Sequence, residues 1–164
     1  MDLKVPEYVK GHNLIEGKSV LITAAAGVGI GGSGALKAIE EGARAIVVSD
    51  IHEGRLEASV EKLKEDTGLQ EVYGKVGNGA VEEDVQGLID YAEEVMGGTD
   101  ILINNAGLGT TKTLVEMEDD EWDKVIQVTL YGTMRMTRHM MRVMKARGKG
   151  GVIVNNASVL GWRA

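Results

Sequence analysis

Three groups of residues have the types and spacing that chemistry needs. The first is Thr23-Ala24-Ala25-Ala26-Gly27-Val28-Gly29-Ile30-Gly31-Gly32, directly after the apolar run Val20-Leu21-Ile22. Gly27, Gly29 and Gly32 fit G-x-G-x-x-G. Glycines let a backbone turn tightly against a pyrophosphate, and the free N–H groups and positive end of the next helix face the anion. With a strand-like run before it and a helix-compatible segment over residues 33–41 after it, the turn reads as a nucleotide phosphate site rather than a bare β–α connection. The second is Asp50, which closes the next apolar run about twenty residues on, where a carboxylate bonds ribose hydroxyls and repels a 2′-phosphate. NAD(H) is therefore favoured over NADP(H), with His52 and Arg55 close enough to soften the choice. The third is a set of polar residues after later apolar runs: Asn78, Asn104-Asn105-Ala106-Gly107 and Ser158. Taken singly, these are ordinary turn residues.

The elements that must position these residues follow from periodicity. Residues 19–23 and 45–49 are continuous apolar or β-branched runs, as in parallel strands covered on both faces. Shorter runs at 72–76, 100–103 and 151–155 complete five strands. Between them, residues 30–41, 53–66 and 82–96 carry helical patterns ended by Gly42, Gly68 and Gly97-Gly98, and the longest helix is expected over 119–145. Five alternations of strand and helix predict an α/β fold, a doubly wound parallel Rossmann-like sheet of order 3-2-1-4-5. Ligands of such sheets sit outside the strands' carboxyl ends, where all three groups fall. Residues 1–17, with Pro6, Gly11 and Gly17, read as a polar lead-in to one dinucleotide-binding domain over 18–164.

Composition narrows the function. A net charge of −7 argues against a nucleic-acid surface. No cysteine is present, which removes disulfides and thiol nucleophiles. No stretch is long and apolar enough to cross a bilayer and no signal-peptide core opens the sequence, so a cytoplasmic protein that binds no membrane is expected. His12, His52 and His139 lack ligand spacing, so no metal is expected. Asp119, Asp120 and Glu121 read as the acidic first turn of a helix, not as a catalytic pair. In the long helix, Trp122, Ile126, Thr129, Thr133, Met136, Met140 and Met144 form one stripe and Leu130, Met134, Thr137 and Met141 a second. A lone surface helix needs only one, so the second stripe is either buried against the chain's own sheet or packed in a homo-oligomer. The basic residues Arg135, Arg138, Arg142, Lys145, Arg147 and Lys149 read as solvated charges complementing the helix's negative end.

Thr23 through Gly31, Asp50, Asn104-Asn105-Ala106-Gly107 and Val152-Ile153-Val154-Asn155-Asn156-Ala157-Ser158, in this order, resemble the short-chain dehydrogenase/reductase family. The resemblance covers nearly everything from Gly17 onward. It implies that Thr23, Gly27, Gly29, Ile30, Gly31, Asp50, Asn78, Asn104, Ala106 and Gly107 bind the cofactor, that Asn78 meets the adenine ring, and that Ser158 hydrogen-bonds the substrate's carbonyl or hydroxyl. It also implies a Tyr about a dozen residues after that Ser, with a Lys one helical turn further, as the proton-transfer pair. The sequence given stops at Ala164, so by itself it is expected to be catalytically incomplete. Two departures stand out: Thr129 occupies the place of an Asn that holds a relay water, and the glycine turn is one residue longer than usual, with an alanine in place of the first glycine.

Met1-Asp2-Leu3-Lys4-Val5-Pro6 and Ser158-Val159-Leu160-Gly161-Trp162-Arg163-Ala164 are similar to a bacterial subgroup labelled 3-oxoacyl-acyl-carrier-protein reductase-like, associated with CoA-linked products of steroid-ring breakdown. Two functions from different classes follow. One is an NAD(P)-dependent oxidoreductase interconverting a secondary alcohol and a ketone, present as its cofactor-binding part. The other is a non-catalytic dinucleotide-binding or interaction module.

Overall fold

The computed structural model describes residues 6–161; Met1 to Val5 and Trp162 to Ala164, which carry parts of the subgroup resemblance, lie outside the described residues. Five parallel strands, β1 (Ser19–Thr23), β2 (Ala45–Asp50), β3 (Val72–Val76), β4 (Ile101–Asn104) and β5 (Val152–Asn155), form one sheet of order β3-β2-β1-β4-β5. The helices are α1 (Ile30–Glu40), α2 (Glu53–Thr67), α3 (Glu82–Met96), α4 (Asp119–Ile126) and α5 (Gly132–Arg147). The doubly wound order expected from the pattern is the one observed. Register aligns Thr23 with Ser49 and Asp50 with Val76, and pairs Asn104 with Asn155, so the polar strand ends share one side of the sheet.

The strands that read as unbroken apolar runs are buried throughout: all of β1 and β2. Alternate residues serve the two faces. Val20, Ile22, Ile46 and Val48 pack with Ala35, Ala38 and Leu56 of α1 and α2, whereas Leu21, Val47 and Leu102 pack with α3 and the buried Met136, Met140 and Met144 of α5. Gly68, Gly97 and Gly148 end α2, α3 and α5 in the left-handed conformation. The lead-in docks on the end of α1: Glu41 accepts the N–H groups of His12 (2.8 Å) and Leu14 (3.2 Å), which hold its carboxyl below the ordinary glutamate range despite partial desolvation.

The long helix is not uniform. A π-helical turn, Gln127–Tyr131, joins α4 to α5. Of the two stripes, the one through Met136, Met140 and Met144 is core, and Leu130, Met134 and Met141 are exposed. β5 forms a sheet edge with Val152 and Val154 exposed. Among the described residues, no helix is long and apolar enough to cross a membrane.

Candidate functional site

The turn after β1 is held by side chains from neighbouring strand ends. The Thr23 hydroxyl accepts the N–H groups of Asn105 and Ala106, both at 3.0 Å. Asn105 Nδ2 donates in return to the carbonyls of Thr23 (3.2 Å) and Ala24 (3.0 Å), and its Oδ1 accepts from Asn156 Nδ2 (2.9 Å). β1, β4 and β5 are thus sewn together at their carboxyl ends. Beside this clasp, Asn104 Nδ2 donates to Thr137 Oγ1 (3.0 Å) and Asn155 Oδ1 (2.8 Å), while its buried Oδ1 has no partner among the described residues.

The glycines have distinct tasks. Gly27 adopts φ +95°, which only glycine tolerates freely. A Cβ at Gly31 would lie 2.4 Å from the Ala24 carbonyl oxygen and 2.6 Å from Asn105 Nδ2; one at Gly32 would lie 1.8 Å from the Gly27 oxygen. These two glycines let α1 start against the turn. Gly29 is the N-cap of α1 and no side chain caps that end, so the first amides, beginning at Ile30, remain for an anion. Ala24 itself has φ +50°, an alanine in the left-handed region at the start of the turn.

Asp50 is nearly enclosed, its side chain 9% exposed. Oδ2 accepts the Ala26 N–H (3.3 Å), Oδ1 accepts the His52 N–H (3.1 Å), and the Arg55 guanidinium stands 3.5 Å away. Asn78 N–H donates to Asp84 (3.0 Å) and Asn78 Oδ1 accepts from Ala80 (3.0 Å), leaving Nδ2 as its remaining donor. Thr23, Asp50, Asn78, Asn104, Ala106 and Gly107 all line one cleft of 340 Å³, walled by apolar side chains that include Leu88, Val128 and Met136. Gly27, Gly29, Ile30 and Gly31 form the turn beside it rather than its lining.

Two expected site residues stand apart. Thr129 lies in the π-helical turn, and its hydroxyl accepts the Leu108 N–H (3.0 Å) and donates to the Leu108 carbonyl (3.1 Å), which clasps the loop after β4. Ser158 is exposed between β5 and a short 3-10 turn, Val159–Gly161, and is not part of the cleft lining. Its carbonyl accepts the Gly161 N–H (3.0 Å).

A family model described as short chain dehydrogenase matches residues 18–164. The chain belongs to the short-chain dehydrogenase family. A curated relative from Mycobacterium tuberculosis, (5R,7aS)-5-hydroxy-7a-methyl-1-oxo-2,3,5,6,7,7a-hexahydro-1H-indene-carboxyl-CoA reductase, is 47% identical over 100% of this chain and 62% of its own length. The crystal structure of a short chain dehydrogenase from Mycobacterium smegmatis is 48% identical, covering 98% of this chain and 65% of that one with a TM-score of 0.93. This member of the short-chain dehydrogenase family thus spans 62% and 65% of the lengths of those two proteins. Solved structures similar to this chain include Gluconobacter frateurii L-sorbose reductase complexed with NADPH and L-sorbose (34% identity, TM-score 0.82, 91% of this chain and 55% of that one). They also include an NAD+-bound xylitol dehydrogenase (31%, 0.83, 91% and 56%). Both nicotinamide cofactors therefore occur among this chain's structural relatives.

Sequence reasoning missed residues that act through partners distant in the chain. Three of the basic residues of α5, Arg135, Arg138 and Arg147, are not simply solvated. Arg135 and Arg138 pair with Glu82 at 3.2 and 2.6 Å, His139 Nε2 lies 2.6 Å from the same carboxylate, and Arg147 reaches Glu93 and the Thr99 carbonyl. The correction has a physical reason: the crossover of the chain lays α3 against α5, and α3 carries the carboxylates. The His139 and Arg138 bonds hold the Glu82 carboxyl below the ordinary glutamate range. Arg135 also donates to the Ala80 carbonyl (3.2 Å) and Gln127 Oε1 (3.2 Å), tying the Asn78 loop to the π-helical turn. Lys124 enters the cleft lining from α4, and no spacing signal in the sequence points to it.

Proposed function

We propose that this chain is the dinucleotide-binding part of an NAD(P)-dependent oxidoreductase that interconverts a secondary alcohol and a ketone in the cytoplasm. The observation that carries this reading is the convergence of Thr23, Asp50, Asn78 and Asn104 on one cleft beside an uncapped, glycine-lined helix start. The cleft is at the small end of ligand pockets, which run from ~300 Å³ upward, so it suits a nucleoside portion, with the diphosphate over the turn. Asp50 would receive the ribose hydroxyls of such a cofactor, and Asn78 Nδ2 would meet its base. The cofactor supplies hydride transfer at its nicotinamide. This chain's residues supply the frame: the Thr23–Asn105 clasp fixes the strand ends, Thr129 fixes the loop after β4, and Ser158 orients the substrate oxygen.

NAD(H) is the preferred cofactor, because a 2′-phosphate would meet the enclosed Asp50 carboxylate. The Arg55 guanidinium at 3.5 Å offsets part of that repulsion. The substrate is CoA-linked, a reading supported by the name of the mycobacterial reductase. The exposed Leu130, Met134 and Met141 support packing of the long helix, residues 119–145, against a second copy. Fluorescence titration with NADH and NADPH tests the central reading: saturable binding with NADH tighter, and an Asp50→Asn variant whose NADH-to-NADPH ratio falls about tenfold, worth ~1.4 kcal/mol. Absence of saturable binding to either nucleotide would overturn it, and tighter NADPH binding would overturn the preference. For the substrate, turnover of simple alcohols but of no CoA-linked hydroxyl compound, by a form spanning the relatives' full length, would refute the CoA reading.

A further inference from the structure

The glycine turn has open space on one side. A second cleft of 200 Å³ opens behind the turn between α1 and α2, lined in part by Gly27, Val28, Leu36 and Ser59. Val28, at the tip, is 96% exposed. A hydrogen bond bridges this gap. Ser59, on α2, accepts the Gly27 N–H at 2.8 Å, and its own proton goes to the Arg55 carbonyl one helical turn back, also at 2.8 Å. That internal bond fixes the hydroxyl so that its lone pairs face the turn.

The preceding amide is committed in the same direction, because Ala26 N–H donates to Asp50 Oδ2 at 3.3 Å. Two successive amides of the turn therefore point back toward β2 and α2, and neither is directed at an anion over α1. What remains for a diphosphate is the later part of the turn, from Gly29 into the uncapped start of α1. A turn so anchored presents those amides in one arrangement. Without the anchor, Gly27, at φ +95° with nothing within 4 Å of the place a Cβ would take, is free to swing into the cleft behind.

We infer that Ser59 is a positioning residue for the dinucleotide diphosphate: it pins the glycine turn to α2 and so sets which amides meet the phosphates. This inference rests on the cofactor reading above. It distinguishes two neighbours with different duties. Asp50 addresses the ribose and so discriminates between the two cofactors, whereas Ser59 addresses the diphosphate that both share. Loss of Ser59 must weaken NADH and NADPH by the same factor.

The test compares the wild-type chain with Ser59→Ala and Ser59→Thr by fluorescence titration with each nucleotide, alongside amide hydrogen exchange at Gly27 without nucleotide. For Ser59→Ala, dissociation constants for NADH and NADPH are expected to rise together, by about fivefold for one lost hydrogen bond, with faster Gly27 exchange. Ser59→Thr, which keeps the hydroxyl, is expected to restore both. A purely structural role would change the thermal midpoint while leaving the affinities of the folded protein unaltered. Equal affinity of Ser59→Ala and wild type, or a change in one nucleotide alone, overturns the inference. If wild type itself binds neither nucleotide, the cofactor reading fails first, and unchanged Gly27 exchange in Ser59→Ala would then show that the pin fails as well.

Discussion

Replacing Gly31 with alanine probes the contact on which the glycine turn depends. Its Cβ would stand 2.4 Å from the Ala24 oxygen, 2.6 Å from Asn105 Nδ2 and 2.9 Å from Ala25 Cα. Comfortable contact needs roughly 3.5 Å, so α1 must retreat by about 1 Å. Two of the three atoms are backbone and the third belongs to the amide that bonds the Thr23 and Ala24 carbonyls, so whatever part of the clash α1 does not relieve pushes that amide off both bonds. Overpacking of this kind costs about 1–3 kcal/mol, and each bond adds about 1 kcal/mol. Alanine's helix preference returns at most ~1 kcal/mol. The net expectation is a destabilisation of about 3 kcal/mol, a fall in thermal midpoint of about 6–12 °C for a chain of this size. Gly34→Ala is the internal control. It lies in the same helix, nothing stands within 4 Å of its Cβ, and it should stabilise by about 0.5–1 kcal/mol. Urea denaturation of the two variants checks the pair. If Gly31→Ala proves as stable as Gly34→Ala, the close approach of α1 to the turn is refuted.

Asn105→Ala should cost about 2 kcal/mol in denaturant unfolding, and Asn105→Asp should cost more, because a carboxylate would face the two carbonyl oxygens that Nδ2 now satisfies; an Asp variant more stable than the Ala variant would contradict this. Glu82→Gln should lower the denaturation midpoint at neutral pH. Its folded-state pKa is depressed, so the stability it contributes is present above the ordinary glutamate value, ~4.3, and is lost as pH falls through the lower folded value. The gap between variant and wild type should therefore close on acidification, and a gap independent of pH would count against the Arg138–His139–Glu82 cluster as its source.

Much of the fold is legible in the sequence because its signals are local. The unbroken apolar runs of β1 and β2 and the glycines after α2 and α3 fix their elements without help from distant residues. The strand-end residues are legible for a related reason, since topology carries every strand's carboxyl end to one side. The π-helical turn is not legible, because Gln127 to Tyr131 keeps an ordinary helical pattern of residue types and the altered bonding leaves no compositional trace. Nor are the partners of Arg135, Arg138 and Arg147, whose carboxylates lie about fifty residues earlier and meet them only after α3 and α5 pack. Thr129 reads in sequence as a stand-in for a relay residue, yet its hydroxyl is engaged with both backbone groups of Leu108, a use decided by the path of a loop.

The approach of α5 to the loop carrying Asn78 has a mechanical consequence. A Cβ on Gly132 would lie 3.2 Å from the Gly79 oxygen, and one on Gly79 would lie 3.5 Å from Gly132 Cα, so the two main chains meet with no side chain between them. Side chains act as springs, because rotamer changes absorb small displacements. Here no spring is fitted, and Arg135 bolts the same two segments together. The outer face of α5, with Met134 and Met141 exposed, is therefore coupled to the rim of the cleft at Asn78 through main-chain contact. A displacement of that outer face is expected to reach the Asn78 end of the cleft.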